Sequence, residues 1–412
     1  MIYIKRLILT TVVMLLVVCI SVFYSVALNE SEAAIDKFYA EDRDLLCISY
    51  KGDTANYPEN SFEGIKSALE KGADFVSVNI SKTSDGVFYL CEDETLGNIC
   101  NAPFETLSQM TSADAQNYVL YDIFGKETEY RLCSLEKLLD NTDSNDGIIL
   151  DIKSEDKDAV YDVLDKNDAL SRVIIRVKES GKNLCIWTDS KENKVYVIGK
   201  YTGNVIFSTI SQINSLTASD AVAVQYESKN YFNVAYGEFF TNRYLTSDKA
   251  RAVVATYSPD LCGQHGDGSD AWNELIKKGY SVIETNNFEN FVSYRTEAER
   301  LEKCAAELYV KCFEIDRKKY SEVSLSNLDK AMLNYENMIA DSVFSLDEAQ
   351  RVYSDLLSML QNMKISTGEV DTRGALNITA GKVIWALIIG SALFAGQMYV
   401  YKMRKSNKEK TV

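Results

Sequence analysis

The chain has 412 residues, with 60 acidic against 44 basic side chains, a formal charge of −16 and 46% hydrophobic residues. That apolar fraction excludes a mostly disordered chain, and the acidic balance excludes a binder of nucleic-acid phosphates, whose footprint is basic. The single histidine, His265, excludes any mechanism needing two imidazoles and any multi-histidine metal site.

In chain order, Lys5-Arg6 precedes an apolar run from Leu7 to Leu28. At about 1.5 Å rise per residue this run can cross a bilayer core of about 30 Å. It reads as a signal peptide with small residues at Ser25-Val26-Ala27, or as an uncleaved signal anchor. A linker over 29–44 follows. From residue 45 to 295, short apolar runs alternate with amphipathic stretches. Strands are expected at Leu45–Ser49, Asp74–Ile80, Val87–Cys91, Gly147–Ile152, Val173–Val177, Val205–Ser208, Ala221–Gln225, Ala252–Thr256 and Ser281–Glu284. Helices are expected at Ser61–Lys71, Leu135–Leu139, around Val160–Leu164, and at Ala271–Lys278. Strand–helix repetition over about 250 residues predicts an α/β fold of the TIM (β/α)8 type. Residues 178–245 are the least clearly patterned.

From Thr296 to Met363 glycine is absent and helical periodicity takes over. Leu301, Cys304, Ala305, Leu308 and Cys312 share a face, and Ser345 with Glu348 has capping-box spacing. A small helical hairpin or bundle is expected over 296–363, then a tether over 364–382. A second apolar run, 383–401, carries Trp385, Tyr399 and Tyr401 near its ends and a basic tail over 402–412, as a transmembrane helix does. By the positive-inside rule the basic ends stay cytoplasmic and the middle lies outside, in a protein of the cell membrane whose two termini are both cytoplasmic if the N-terminal run is uncleaved. Eight cysteines lie outside the first apolar run; several sit in strand-like runs, such as Cys47 and Cys91, and read as free buried thiols.

The informative stretch runs from Tyr50 to Leu96. It reads Tyr50-Lys51-Gly52, Pro58-Glu59-Asn60-Ser61, Gly72-Ala73-Asp74, Thr83-Ser84-Asp85-Gly86 and Glu92-Asp93-Glu94-Thr95-Leu96. These blocks, in this order and at these intervals, resemble the glycerophosphodiester phosphodiesterase (GDPD) family. Its members open with His-Arg-Gly, then Pro-Glu-Asn-Thr, Gly-Ala-Asp, a Glu-x-Asp strand, Thr-x-Asp-Gly and His-Asp-x-x-Leu. Leu150-Asp151-Ile152-Lys153 is similar to the family's Glu-Ile-Lys strand, and Gly279–Asn286 to its last strand. The resemblance covers roughly residues 45–293 and implies a TIM barrel.

It also implies a chemistry, and the departures fall on it. In the family two histidines serve as general acid and base, an arginine contacts the phosphate, and Glu-x-Asp with a later Glu holds one divalent cation. Here Tyr50 and Glu92 stand at the histidine positions, Lys51 at the arginine, and Ser77 and Asn79 at the Glu-x-Asp pair. Asp151 keeps the last metal-ligand position acidic, and Lys153 is retained to contact substrate with Lys51. Tyrosine, with an ordinary pKa near 10, is a poor base at neutral pH. Lysine neutralises phosphate without arginine's bidentate fork. Neutral Ser77 and Asn79 leave a hard cation short of anionic oxygens. No cofactor is expected, except a weakly held calcium or magnesium ion should the chain be active.

Three function classes follow. One is a catalytically degenerate barrel that binds a polyol phosphate, a cell-wall polymer or a protein partner. The second is a divergent phosphodiesterase using Glu92, Asp151, Lys51 and Lys153. The third is a structural surface protein. The first predicts an open pocket at the mouth lined by Tyr50, Lys51 and Lys153, the second predicts that Glu92 and Asp151 face each other there, and the third predicts a mouth plugged by the protein's own side chains. His265, in a glycine-rich loop, reads as a solvated histidine, and Tyr226, Tyr231, Tyr236 and Tyr244 as packing residues. Residues 320–357 are similar to the FIVAR helical modules of Gram-positive surface proteins, which implies a spacer.

Overall fold

The computed structural model describes residues 33–365, apart from 41–43, 93–95, 103–105, 204–206, 218–220, 231, 247–249 and 341–342. The two apolar terminal runs, most of the tether and the basic tail lie outside the described residues. Among the described residues no helix is long and apolar enough to cross a membrane.

Eight parallel strands close into a barrel: β1 (Leu46–Tyr50), β2 (Phe75–Lys82), β6 (Ile148–Ile152), β7 (Val173–Val177), β8 (Tyr196–Thr202), β9 (Ala223–Glu227), β10 (Arg251–Ala255) and β11 (Val282–Thr285). The ring closes through β1, which pairs with both β11 and β2. Between β2 and β6, β3 (Phe88–Leu90) pairs antiparallel with the end of β2, and β4 (Val119–Tyr121) with β5 (Glu127–Arg131) makes a separate hairpin. Helices α1 (Phe62–Glu70), α2 (Leu135–Asp140), α3 (Lys157–Lys166), α4 (Gly181–Asp189), α5 (Phe207–Thr217) and α6 (Ser269–Lys277) alternate with the strands.

Side chains of a strand alternate between two faces, and here both faces are buried. One set, including Cys47, Val76, Leu150, Ile175, Val197, Val224, Val254 and Ile283, joins a core cluster with helical residues such as Ile65 and Leu275. The other set fills the interior: Ile48, Phe75, Ile149, Ile174, Ile198, Ala223, Val253 and Val282. A 3-10 turn, Ala34–Phe38, adds Ala34, Ile35 and Phe38 to this inner cluster, with the Phe38 ring 4.9 Å from that of Phe75. Buried Arg251 fixes this end of the chain through the Lys37 carbonyl (3.0 Å) and Ser281 Oγ (3.0 Å). The barrel therefore closes at its N-terminal end, and its functional face is the C-terminal one.

The expected strand at Val205–Ser208 is replaced by α5, which begins at Phe207. A four-residue apolar run does not separate strand from helix; Ile210, Ile213 and Leu216, three apart, carry the packed face instead. The strand of this unit is β8, and α4 precedes it, both unassigned in the sequence reading.

A second compact unit comprises residues 300–340 and, from Glu348, the rest of the described chain. It contains the later part of α7 (Phe288–Phe313), all of α8 (Glu322–Ala340), and most of α9 (Leu346–Gln361). Leu328, Ala331, Met332, Val352 and Leu356 are among its buried residues, and the Tyr309 and Tyr335 rings lie 4.7 Å apart.

Candidate functional site at the barrel mouth

Two residues beyond the apolar interior layer, each strand presents its next inward position: Tyr50, Ser77, Asp151, Arg176, Lys200, Gln225, Ala255 and Glu284. Four of these eight are charged, and they are tied to one another. The Arg176 guanidinium, with no solvent exposure, reaches Asp151 Oδ2 at 2.9 Å and Glu284 Oε1 at 2.8 Å, and donates to Gln225 Oε1 at 2.9 Å. Lys200 Nζ lies 3.2 Å from Asp151 Oδ2 and 3.3 Å from Glu227 Oε1. Ser77 Oγ donates to Glu284 Oε1 at 2.5 Å, and Gln225 Nε2 donates to Glu227 Oε1 at 2.9 Å. Three carboxylates thus share two cations.

The electrostatics follow from this pairing. Burial raises the Asp151 carboxyl, but Arg176 and Lys200 outweigh it and hold the group below its ordinary value. Glu227 is raised by burial, which Lys200 only partly offsets. Burial works against the charge on Lys200, yet Asp151 and Glu227 keep its pKa above the usual value.

Above this layer the mouth is closed by side chains. The Tyr50 ring stacks on Tyr257 at 3.7 Å with planes 5° apart, and Lys51 Nζ sits 5.1 Å from the centre of the Tyr50 ring. Burial raises the Tyr50 phenol, the wrong direction for a base. Lys51 bends out of β1 with φ of 62° and is bound by Glu59 (3.1 Å) and Glu92 (3.2 Å). Glu92 is therefore a partner of Lys51, whereas Asp151 is a partner of Arg176 and Lys200. Lys153 caps β6 as an exposed residue. Asn79 offers its backbone N–H to Asn60 Oδ1 at 3.3 Å. A shallow cleft of about 570 Å³ opens at the ends of β8 to β10, lined by Thr202, Glu227, Lys229, Asn230, Asp260 and Leu261. Tyr50, Lys51 and Lys153 do not line it.

A divalent cation does not fit these residues. Ser77 gives its hydroxyl to Glu284, and both Asp151 and Glu284 are occupied by Arg176. Among the described residues no group of three or more His, Cys, Asp or Glu is placed to hold a metal ion.

The motif residues away from the chemistry support the backbone. Gly72 and Gly86 adopt φ of 100° and 86°, and Asn60 of 56°. Asp74 accepts from the Cys47 N–H at 2.8 Å and pairs with Lys37 and Arg295. His265 is not solvated: its side chain is 1% exposed, with Nδ1 3.2 Å from Glu274 Oε2 of α6 and its ring 5.9 Å from Tyr236. Burial lowers its pKa. Tyr226 and Tyr236 are buried packing residues whose hydroxyls bond the backbone carbonyls of Gly203 and Leu261. Tyr244 packs on Phe240, and Tyr231 lies outside the described residues.

Arg176, Lys200, Gln225, Glu227, Tyr257 and Glu284 were not singled out from the sequence. A charged residue inside an apolar strand, as in Val173-Ile174-Ile175-Arg176-Val177, was the available signal.

Fold and mouth together define an eight-stranded parallel barrel of the TIM type with a polar C-terminal face. Residues 51–232 match the sequence profile of the Glycerophosphoryl diester phosphodiesterase family. A glycerophosphodiester phosphodiesterase of Caldanaerobacter subterraneus is 38% identical over 56 residues, 14% of this chain and 23% of that protein. Glycerophosphodiester phosphodiesterase 1 of Rattus norvegicus is 31% identical over 98 residues, 22% of this chain and 29% of that protein. The chain thus matches less than a third of the length of either. The solved structure of a glycerophosphoryl diester phosphodiesterase from Parabacteroides distasonis shares the fold, with a TM-score of 0.50 and 20% identity, over 64% of this chain and 91% of that one. Over residues 51–232, then, the chain carries a glycerophosphoryl diester phosphodiesterase family domain, on a barrel whose fold that solved structure shares.

Proposed function

We propose that this is a GDPD-family barrel that does not hydrolyse phosphodiesters and works by binding. One observation carries the reading: the two carboxylates at the centre of the mouth, Asp151 and Glu284, are bridged by the buried Arg176 guanidinium. Neither carboxylate is available to a cation or a proton transfer, and Glu92, at a family histidine position, is bound to Lys51 across the mouth.

Between the ligand classes the geometry favours a protein partner over a polyol phosphate or a cell-wall polymer. A phosphate at Lys51 would have to displace Glu59 or Glu92, and the carboxylates at the mouth outnumber the cations. Loops on the same side instead expose large apolar residues. Phe232 and Phe239, after β9, are 86% and 78% exposed and offer two apolar rings to a protein surface, which a polyol phosphate or an anionic polymer would not use. In this reading the apolar runs at 7–28 and 383–401 hold the protein in the cell membrane with the barrel outside, and the FIVAR-like helices act as a spacer.

The test is hydrolysis of glycerophosphodiesters and a chromogenic diester by the purified full chain with calcium, magnesium or manganese, beside Glu92→Gln. The expected result is no turnover above that variant. Metal-dependent turnover that is lost in Glu92→Gln would overturn the reading.

A further inference from the structure

We infer that Arg176 and Lys200 together are a built-in substitute for a divalent cation at the barrel mouth. This deepens the non-hydrolytic reading above and rests on it, naming what replaced the metal. Three carboxylates converge on the mouth: Asp151 and Glu284 in one layer, and Glu227 two residues further along β9. Buried carboxylates need a counter-charge, since an unpaired charge in the interior is strongly disfavoured. Two positive side chains supply it, so the cluster carries the same net charge as three carboxylates around a doubly charged ion. The geometry is that of a bridging ion as well. Arg176 is fully buried and touches Asp151 and Glu284 with different nitrogens, 2.9 and 2.8 Å away. Lys200 links Asp151 to Glu227 at 3.2 and 3.3 Å. The neutral groups complete the cage: Ser77 and Gln225 donate to Glu284 and Glu227 where anionic side chains would repel them.

The substitution has a consequence for ligand chemistry. A metal ion keeps exchangeable positions for substrate oxygens; a guanidinium held by fixed carboxylates does not. The mouth retains the charge balance of a metal site but loses the open coordination that phosphodiester chemistry needs.

The experiment titrates Mn2+ alone into the purified full chain and follows the loss of the free-ion paramagnetic resonance signal. Wild type and Arg176→Lys, which keeps the charge, are expected to take up no Mn2+ at concentrations of roughly 0.1–1 mM, the range of weak extracellular calcium sites. Arg176→Met and Lys200→Met, which free carboxylates, are expected to bind one ion per chain at least about tenfold more tightly than wild type. Wild type that binds Mn2+ as tightly as the variants overturns the inference, as do folded variants that bind none. Should both variants fail to fold, refolding yield is compared with and without Mn2+: rescue supports the substitution, and equal failure overturns it. Hydrolysis is read separately, so turnover without Mn2+ uptake refutes the non-hydrolytic reading, and Mn2+ uptake by wild type without turnover refutes this one.

Discussion

Arg176 on β7 and Glu284 on β11 meet across the barrel at 2.8 Å, both with no solvent exposure. In the ring order β1-β2-β6-β7-β8-β9-β10-β11 these strands are four places apart, so the ion pair spans the diameter of the barrel. It joins opposite walls that share no backbone hydrogen bond.

Removing one side of such a pair leaves the other charge buried and uncompensated, which costs about 3–5 kcal/mol. Arg176→Met is therefore expected to lower stability by that amount in urea unfolding of the purified protein. The double variant Arg176→Met with Glu284→Gln should recover part of the loss, because the orphaned Glu284 charge is then gone while Asp151 keeps Lys200. A single variant as stable as wild type would show that the bridge does not hold the barrel.

The Tyr50–Tyr257 stack closes the mouth at 3.7 Å. Truncating a fully buried aromatic costs about 3–5 kcal/mol, and a stacked pair is worth about 0.5–1.5 kcal/mol beyond its burial. Tyr257 is part-buried, so Tyr257→Ala should destabilise by less than about 3 kcal/mol. A double-mutant cycle with Tyr50→Ala should return a coupling energy of about 0.5–1.5 kcal/mol. Tyr50→Phe should leave stability nearly unchanged, because the contact is made by the ring face.

Acid should weaken the barrel from the mouth side. Asp151 is depressed below its ordinary 3.8, and Glu179 is lowered from 4.5 to about 2 by hydrogen bonds from Ser154, despite partial burial. A depressed carboxyl stabilises the fold above its unfolded pKa and loses that contribution as pH falls through the folded value. Stability should therefore drop as pH goes from about 4.5 to about 2. Glu227 has the opposite sign: its raised pKa makes ionisation unfavourable to the fold, so its contribution falls as pH rises above 4.5. Glu179→Gln should flatten the acid limb of melting temperature against pH, and an unchanged limb would remove Glu179 from the account.

Backbone conformation at the motif glycine gives a sharper test. Gly52 has φ of 91°, and a Cβ there would meet the Gly64 backbone carbon at 2.8 Å. Both the left-handed conformation and the contact with α1 oppose a side chain. Gly52→Ala is expected to cost at least about 1 kcal/mol, measured by thermal or urea unfolding.

The thiols report the same packing. Of the eight described cysteines, only Cys185 and Cys304 are partly exposed. Burial also raises the Cys133 and Cys312 thiols to about 12 and about 11. In the native protein a thiolate-selective reagent should modify Cys185 and Cys304 rapidly and the other six described cysteines only on unfolding. Fast labelling of Cys47 or Cys133 would contradict the packing described.

The scaffold was legible because its signals are local. Pro58, Asn60, Gly72, Asp74, Asp85 and Gly86 mark turns that need particular backbone angles or caps, and those needs are written within a few residues. The strand at Val205–Ser208 was misread and β8 and α4 were unassigned, because short apolar runs carry too few residues to show a period. The mouth was legible only by subtraction. Tyr50, Glu92, Ser77 and Asn79 depart from the motif residues of the family the sequence resembles, but nothing in their spacing announced that Arg176, Lys200 and Glu284 converge beside Asp151.

By itself, the sequence determined the strand–helix alternation of the barrel, the motif blocks that resemble one family, and the presence of Tyr50, Glu92, Ser77 and Asn79 in those blocks, because each is a matter of residue type at fixed intervals along the chain. The tertiary structure alone decided that Arg176, Lys200, Glu227 and Glu284 converge with Asp151. These residues are separated by up to 133 positions and lie on five different strands. Strand alternation turned them inward, and closure of the ring brought them within hydrogen-bonding distance. Charges in the interior must be matched in space, and that matching is made across a barrel whose diameter no local sequence interval encodes.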